Sequence, residues 1–400
     1  MKYNAINVET DPLIRGNSEY NHGLSSFLDA ARWVSAFFVI LTHLNNRMFV
    51  VLDKIPSPDR TIESYLWGFV CGFAHWGVVV FFVLSGFLVG GPVLKKALNG
   101  QKFNTKKYLV ARITRIYLVL IPVLVVGSSL DYLGMGLFSA SGVYSEHLEK
   151  LNSQSESAFI FSIVGSLLNL QNLFCDILGT NGPLETLANE FWYYMTFPLI
   201  LAPILYHRSL KTWFLFGVGL CLIISMSLAS KWHFVGFVLW SIGAVFSVKR
   251  ERSFVNSPFV EFCIFIAMLI LIRLVVRSSV IFGPYGFLFE IIIAILFANV
   301  LCSLQYNKVN WSLLNWAGHG KLGGFSYSLY AIHVPLLMFM CAALKSNFGY
   351  GWHDIPRYYH QWLTALLFLV ICVVIAWTLS LLTERHTYRV RAFFNRRIGL

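Results

Sequence analysis

Apolar runs dominate the chain, and their spacing predicts its elements. They cover residues 27–50, 66–94, 112–130, 188–206, 212–230, 232–248, 258–276, 279–303, 325–345 and 361–383. A helix needs about 20 predominantly apolar residues to cross the hydrocarbon of a bilayer. The pattern therefore predicts an all-α polytopic membrane protein with about ten transmembrane helices, of which 232–248 is the thinnest. A further stretch, 158–177, is interrupted by Ser162, Ser166, Asn169, Gln171 and Asn172, which predicts an interfacial or re-entrant segment. Residues 1–26 are polar and carry no signal-peptide pattern.

Charge sets the expected orientation. With the N-terminus in the cytoplasm, ten crossings put most Lys and Arg inside. Lys2 and Arg15 come first. Then follow Lys95, Lys96, Lys102, Lys106, Lys107, Arg112 and Arg115. Arg208 and Lys211, then Lys249, Arg250 and Arg252, then Lys308 and Lys321, join them. The basic tail 385–400 adds Arg385, Arg389, Arg391, Arg396 and Arg397, so both termini are expected to be cytoplasmic. If 158–177 also crossed, every later cluster would face outward.

Composition agrees: 57% of residues are hydrophobic and only 12% charged, about half the charged share of a soluble domain. That excludes a water-soluble enzyme, a disordered chain, a coiled coil and a small disulfide scaffold. The net charge of +12 is spread over loops beside spans, so it gives no support for nucleic acid as a partner. The seven cysteines lie mostly in apolar stretches, with no CxxC or Cys/His cluster, so no metal is expected.

Ionisable groups inside spans are costly and therefore candidates for function. Arg32 and His43 share one face of the first helix, about 16 Å apart along its axis. Asp29 lies one turn before Arg32. Arg32 snorkelling and His43 packing remain the plain alternatives. Ser85 and Gly86, with Gly90 and Gly91, are either a close-packing seam or backbone open to a ligand. Arg112 and Arg115 share a face and suit either a membrane anchor or phosphate. Glu190 precedes Tyr193 and Tyr194 after an Asn181-Gly182-Pro183 turn, and is a dipole partner or a functional acid. His333 lies mid-span with Tyr330 one turn before it, as interhelical glue or as a reacting group.

These clusters, in this order, resemble the acyltransferase-3 family of integral membrane acyltransferases. LDAARWVSAFFVILTHL resembles its first-helix motif, a basic residue, ten residues, then His, filled by Arg32 and His43. GVVVFFVLSGFLVGG is similar to its second-helix motif, and RITRIY to its R-x-x-R segment, with Pro122 following. GPLETLANEFWYYMTFPL is similar to the stretch ending in an acid, Tyr and Pro, here Glu190, Tyr194 and Pro198. SYSLYAIHVPLL is similar to its late Tyr-x-x-His segment. The resemblance covers residues 24–390 and implies a membrane acyltransferase domain over 27–384. Trp33 stands where the family often has Gly, and Asn189 where it often has a second acid.

The resemblance implies transfer of an acyl group, most often acetyl, from cytoplasmic acyl-CoA to an extracytoplasmic hydroxyl. The expected acceptor is a glycan or lipid-linked glycan, such as exopolysaccharide or O-antigen, at a bacterial inner membrane. Arg112, Arg115, Ser85 and Gly86 are expected at the acetyl-CoA site. His43 is expected as general base, oriented by Glu190, with Arg32 at the thioester carbonyl or donor phosphate. Tyr194, Tyr330 and His333 are expected to support the acceptor. A transporter or flippase for a lipid-linked sugar would use similar ingredients, but predicts inverted repeats that the two halves do not show. A scaffold subunit would not need Arg32, His43 and Glu190 all inside apolar stretches.

Overall fold

The computed structural model describes residues 22–249, 255, 257–276, 283 and 285–399. Lys2, Arg15, Arg250, Arg252 and the first residues of the expected eighth span lie outside them. Among the described residues the chain is all-α, with two isolated backbone bridges and no sheet. Nine helices there are long and apolar enough to cross a membrane, and the chain is an integral membrane protein.

The helices run in order. α1 is His22–Met48. α2 (Ile62–Cys71), α3 (Ala74–Ser85), a π-helical turn over Gly86–Gly90 and α4 (Gly91–Leu98) form one span. α5 is Thr105–Leu137. α6 (Ser145–Ser153) and α7 (Glu156–Leu167) are short. α8 (Leu184–Ile200) continues through α9 (Ala202–Leu205). Then come α10 (Leu210–Ala229), α11 (Lys231–Val248), α12 (Pro258–Val275), α13 (Gly286–Tyr306), α14 (Gly318–Gly323), α15 (Ser326–Phe348), α16 (Tyr359–Leu382) and α17 (Thr387–Arg397).

The expected span 188–206 differs from the others. It is a 17-residue helix and a four-residue turn, with Pro198 inside α8 and Pro203 near the start of α9. Proline removes the N–H that would close the next turn, so the helix breaks there. It still crosses. Phe49, just past α1, bridges Asp354 in the loop between α15 and α16. Those loops share a side only if an even number of crossings separates them, which needs one, and not both, of α7 and α8–α9 to cross. α7 does turn back. Tyr117 of α5 donates to the Leu167 carbonyl at 2.8 Å, and Trp192 to the Asn169 carbonyl at 2.9 Å. Asn169 and Asn172 then take left-handed backbone conformations, which asparagine tolerates, and reverse the chain. Their surroundings bury Ser166, Asn169 and Gln171 almost completely.

Lipid competes equally for apolar side chains, so close backbone approach and hydrogen bonds must hold the helices together. α11 lies directly on the π-helical turn. A Cβ at Gly86 would run into the Trp240 carbonyl, and one at Gly243 into the Val83 carbonyl. Gly90 faces the Trp240 ring and Gly91 the Ser247 side chain. Arg273, an intramembrane cation on α12, has a structural task. Its Nη2 donates to the Gly68 carbonyl at 2.7 Å and its Nε to the Phe69 carbonyl at 3.2 Å. Those carbonyls end α2 at the break before α3, where they otherwise share the single Gly72 N–H, 3.2 Å from each.

Candidate active site

α1 packs along α3, α14 and α15 and brings its polar face inside the bundle. His43 and His333 of α15 meet there, with ring centroids 5.1 Å apart and planes inclined at 49°. His333 is fully buried. Its Nδ1 lies 2.8 Å from the Tyr330 carbonyl and 3.2 Å from that of Leu329. Carbonyls only accept, so Nδ1 carries the proton and Nε2 keeps its lone pair. That Nε2 is buried without a partner. Arg47, one turn beyond His43, places Nη1 3.1 Å from His43 Nδ1.

Pro335 shapes this part of α15. A proline has no N–H for the carbonyl four residues back, which is that of Ala331. Asn181 takes over and donates to the Ala331 carbonyl at 2.9 Å. The Asn181-Gly182-Pro183 turn thus ties the start of α8 to the His333 segment. Asp131 of α5 fixes the same loop by accepting from Thr180 N at 2.8 Å and Thr180 Oγ1 at 2.9 Å.

Glu190 belongs to a second group. The Tyr194 hydroxyl donates to its Oε1. Ser85 Oγ lies 2.9 Å from the Tyr194 hydroxyl and accepts from Trp240 Nε1 at 3.0 Å. The Arg112 guanidinium sits 5.9 Å from the Tyr194 ring centroid and 6.0 Å from that of Tyr108. Tyr108 in turn donates to the Tyr194 carbonyl at 3.0 Å. Glu190 is within electrostatic reach of Tyr330 and Tyr327. Tyr330 stands between the groups, 6.0 Å from the His333 ring and 5.5 Å from Phe81.

A third group lies at the basic end. Arg32 donates to Asp29 at 2.9 Å, and Arg115 and Glu384 are within electrostatic reach of it. Glu384 accepts from Ser328 N at 2.9 Å and Ser328 Oγ at 2.5 Å. It thereby caps an N–H that the first turn of α15 cannot satisfy, with its charge at the favourable end of the helix dipole. Trp33 donates to His319 Nδ1 at 3.0 Å, which gives the large side chain at that position a partner.

Three expectations are corrected. Glu190 is not beside His43: among the described residues no hydrogen bond joins them, Tyr194 holds the carboxylate, and His43 meets His333 and Arg47. Gly86 is a close-packing position, where the Trp240 carbonyl of α11 takes the space of a Cβ. Arg112 and Arg115 part company, Arg112 being buried against tyrosines and Arg115 exposed. Their three-residue spacing leaves them about 60° apart around the helix, enough to separate interior from surface.

Sequence reading missed Arg47, Glu384 and two histidine pairs. His75 Nε2 lies 2.8 Å from Glu290 Oε1. His233 Nδ1 lies 2.8 Å from Asn189 Oδ1, so the residue replacing an acid holds a histidine. Glu290 inside an apolar run was the one available signal for the first pair.

The family model described as an acyltransferase domain, that of the acyltransferase-3 family, matches residues 25–381. No curated protein and no solved structure matches the chain. The match takes in Arg32, His43, Ser85, Arg112, Arg115, Glu190, Tyr194, Tyr330 and His333 alike. The chain belongs to the acyltransferase-3 family and is a membrane acyltransferase.

Proposed function

We propose that the protein moves an acyl group, acetyl in the first instance, from acyl-CoA at its basic end to a glycan hydroxyl at its opposite end. The observation that carries this is the pair of imidazoles, His43 and His333, at the far end of a polar path from the basic face. The path runs through Arg32 with Asp29, and Glu190 with Tyr194 and Ser85. Acyl-CoA is a substrate here. Exposed Arg115, Lys106 and Lys107 suit its phosphates. Arg112 lies deeper, where it orients Tyr194.

A sugar hydroxyl is a poor nucleophile, and neutral imidazole takes its proton as the oxygen attacks the thioester carbonyl. The carbon–sulfur bond then breaks and CoA leaves. His43 is the base in this reading, with Arg32 polarising the donor and His333, Tyr330 and Tyr194 supporting the acceptor. Exported or surface polysaccharide at a bacterial inner membrane is the acceptor class that fits.

Labelled acetyl-CoA supplied to purified membranes tests the reading, with the native chain compared with His43→Ala at equal protein level. Label is expected in glycan only with His43 present. Equal labelling by both removes His43 as base, and no turnover of any acyl-CoA by folded protein removes acyl transfer.

A further inference from the structure

Resting on the acyl-transfer reading, we propose that Arg47 is a latch on His43 that an anionic group of the acceptor opens. A guanidinium only donates hydrogen bonds. His43 Nδ1, 3.1 Å from Arg47 Nη1, is therefore the lone-pair nitrogen of a neutral imidazole whose proton is on Nε2. In this state the single lone pair of His43 is occupied, and it cannot take a proton from water or from a hydroxyl. The same Nη1 lies 3.2 Å from the His43 carbonyl, so the latch sits one turn away on its own helix.

Arg47 has no ion-pair partner among the described residues, although Asp131 is within electrostatic reach of it. The acids around it are engaged elsewhere. Asp131 accepts twice from Thr180, while Asp354 accepts the Gly351 N–H and lies 3.9 Å from Lys345. Arg47 Nε is buried with no partner. His147 of α6 is within electrostatic reach, and its Nδ1 is also buried without a partner. A largely buried cation with an unused donor binds an anion far better than it binds a neutral ring nitrogen.

The anion that fits is a phosphate or carboxylate carried by the hydroxyl-bearing acceptor: a sugar phosphate, free or lipid-linked, or a uronic acid. When it takes the guanidinium, Nδ1 is released. The acceptor hydroxyl then gives its proton to Nδ1 and its oxygen attacks the thioester carbon. The carbon–sulfur bond breaks, and CoA leaves as a thiolate that regains a proton from the imidazolium. Without acceptor the base stays capped, and acyl-CoA is spared hydrolysis.

The test follows CoA release from acetyl-CoA by the purified full chain in lipid nanodiscs. Sodium glucuronate and glucose 1-phosphate are the anionic probes, and glucose is the neutral control. The native chain is expected to release CoA slowly alone or with glucose, and faster with an anionic probe. A response to glucuronate alone assigns a carboxylate, and one to glucose 1-phosphate alone a phosphate. Arg47→Met is expected to raise release without any sugar on the order of 10²-fold, the lower end of what a general base supplies, and to lose the response. Arg47→Lys, which keeps the charge but not the fork, is expected to respond with weaker probe affinity, and it serves if Arg47→Met does not fold. Native-like basal release and probe response in these variants, or equal stimulation by glucose, overturns the proposal. His43→Ala that releases CoA like the native chain in the presence of an anionic probe fails the acyl-transfer reading instead, and His43→Ala that is silent beside an Arg47→Met with native-like basal release and probe response fails only the latch.

Discussion

Two helix contacts inside the bundle look alike in sequence and differ in kind. The contact of α3 and its π-helical turn with α11 is built from Gly86, Gly90 and Gly243, so close that backbone carbonyls occupy the space of side chains. The contact of α1 with α15 is built from His43 and His333, leaves His43 part-exposed and strands a buried imidazole nitrogen. The first satisfies its atoms and holds the fold. The second leaves the His333 Nε2 lone pair unmatched, which folding alone does not favour and an acceptor hydroxyl can use.

The sharpest way to break this contrast is at the histidines. His43→Ala is expected to lower acyl transfer by about 10²- to 10⁴-fold with an unchanged melting temperature in detergent. A matching loss of melting temperature would make His43 a packing residue. Gly86→Leu is expected to do the reverse. Overpacking against Trp240 costs on the order of 1–3 kcal/mol, read as a lower melting temperature and less folded protein. Native stability in that variant would mean that α11 does not press on the turn.

Asn181→Ala couples the two kinds of contact. It strands the buried Ala331 carbonyl at a cost of about 1–3 kcal/mol, and it loosens the segment that carries His333. Melting temperature and transfer should fall together. The smallest effect concerns acid. Burial of His147, in the loop region outside the spans, holds its pKa below the ordinary imidazole value, with Asp131 partly opposing that shift. The unfolded chain then binds a proton before the folded one does, so stability falls as pH drops through the ordinary imidazole range. Thermal melting between about pH 7.5 and 5.5 should show this slope, and His147→Gln should flatten it.

The spans were legible because each is a self-contained run of about 20 apolar residues. The exception, α8–α9, is legible only as a run, since Pro198 and Pro203 divide it. His43, His333 and Glu190 stood out because charge inside a span is conspicuous. Their pairing did not, because His43 and His333 come from opposite ends of the chain and only the fold unites them. Arg47 was hidden by its place at a helix end, where basic residues are ordinary. Glu384 was hidden in the same way, beyond the last span, although it caps α15.

Transfer through the bundle predicts a strict sidedness. In proteoliposomes with oriented protein, acetyl-CoA is offered at one face and glycan acceptor at the other. Label is predicted to reach the acceptor only when acetyl-CoA meets the face carrying Lys106, Lys107 and Arg115 and the acceptor meets the face beyond Arg47. Equal labelling with both substrates confined to one face would contradict transfer through the bundle.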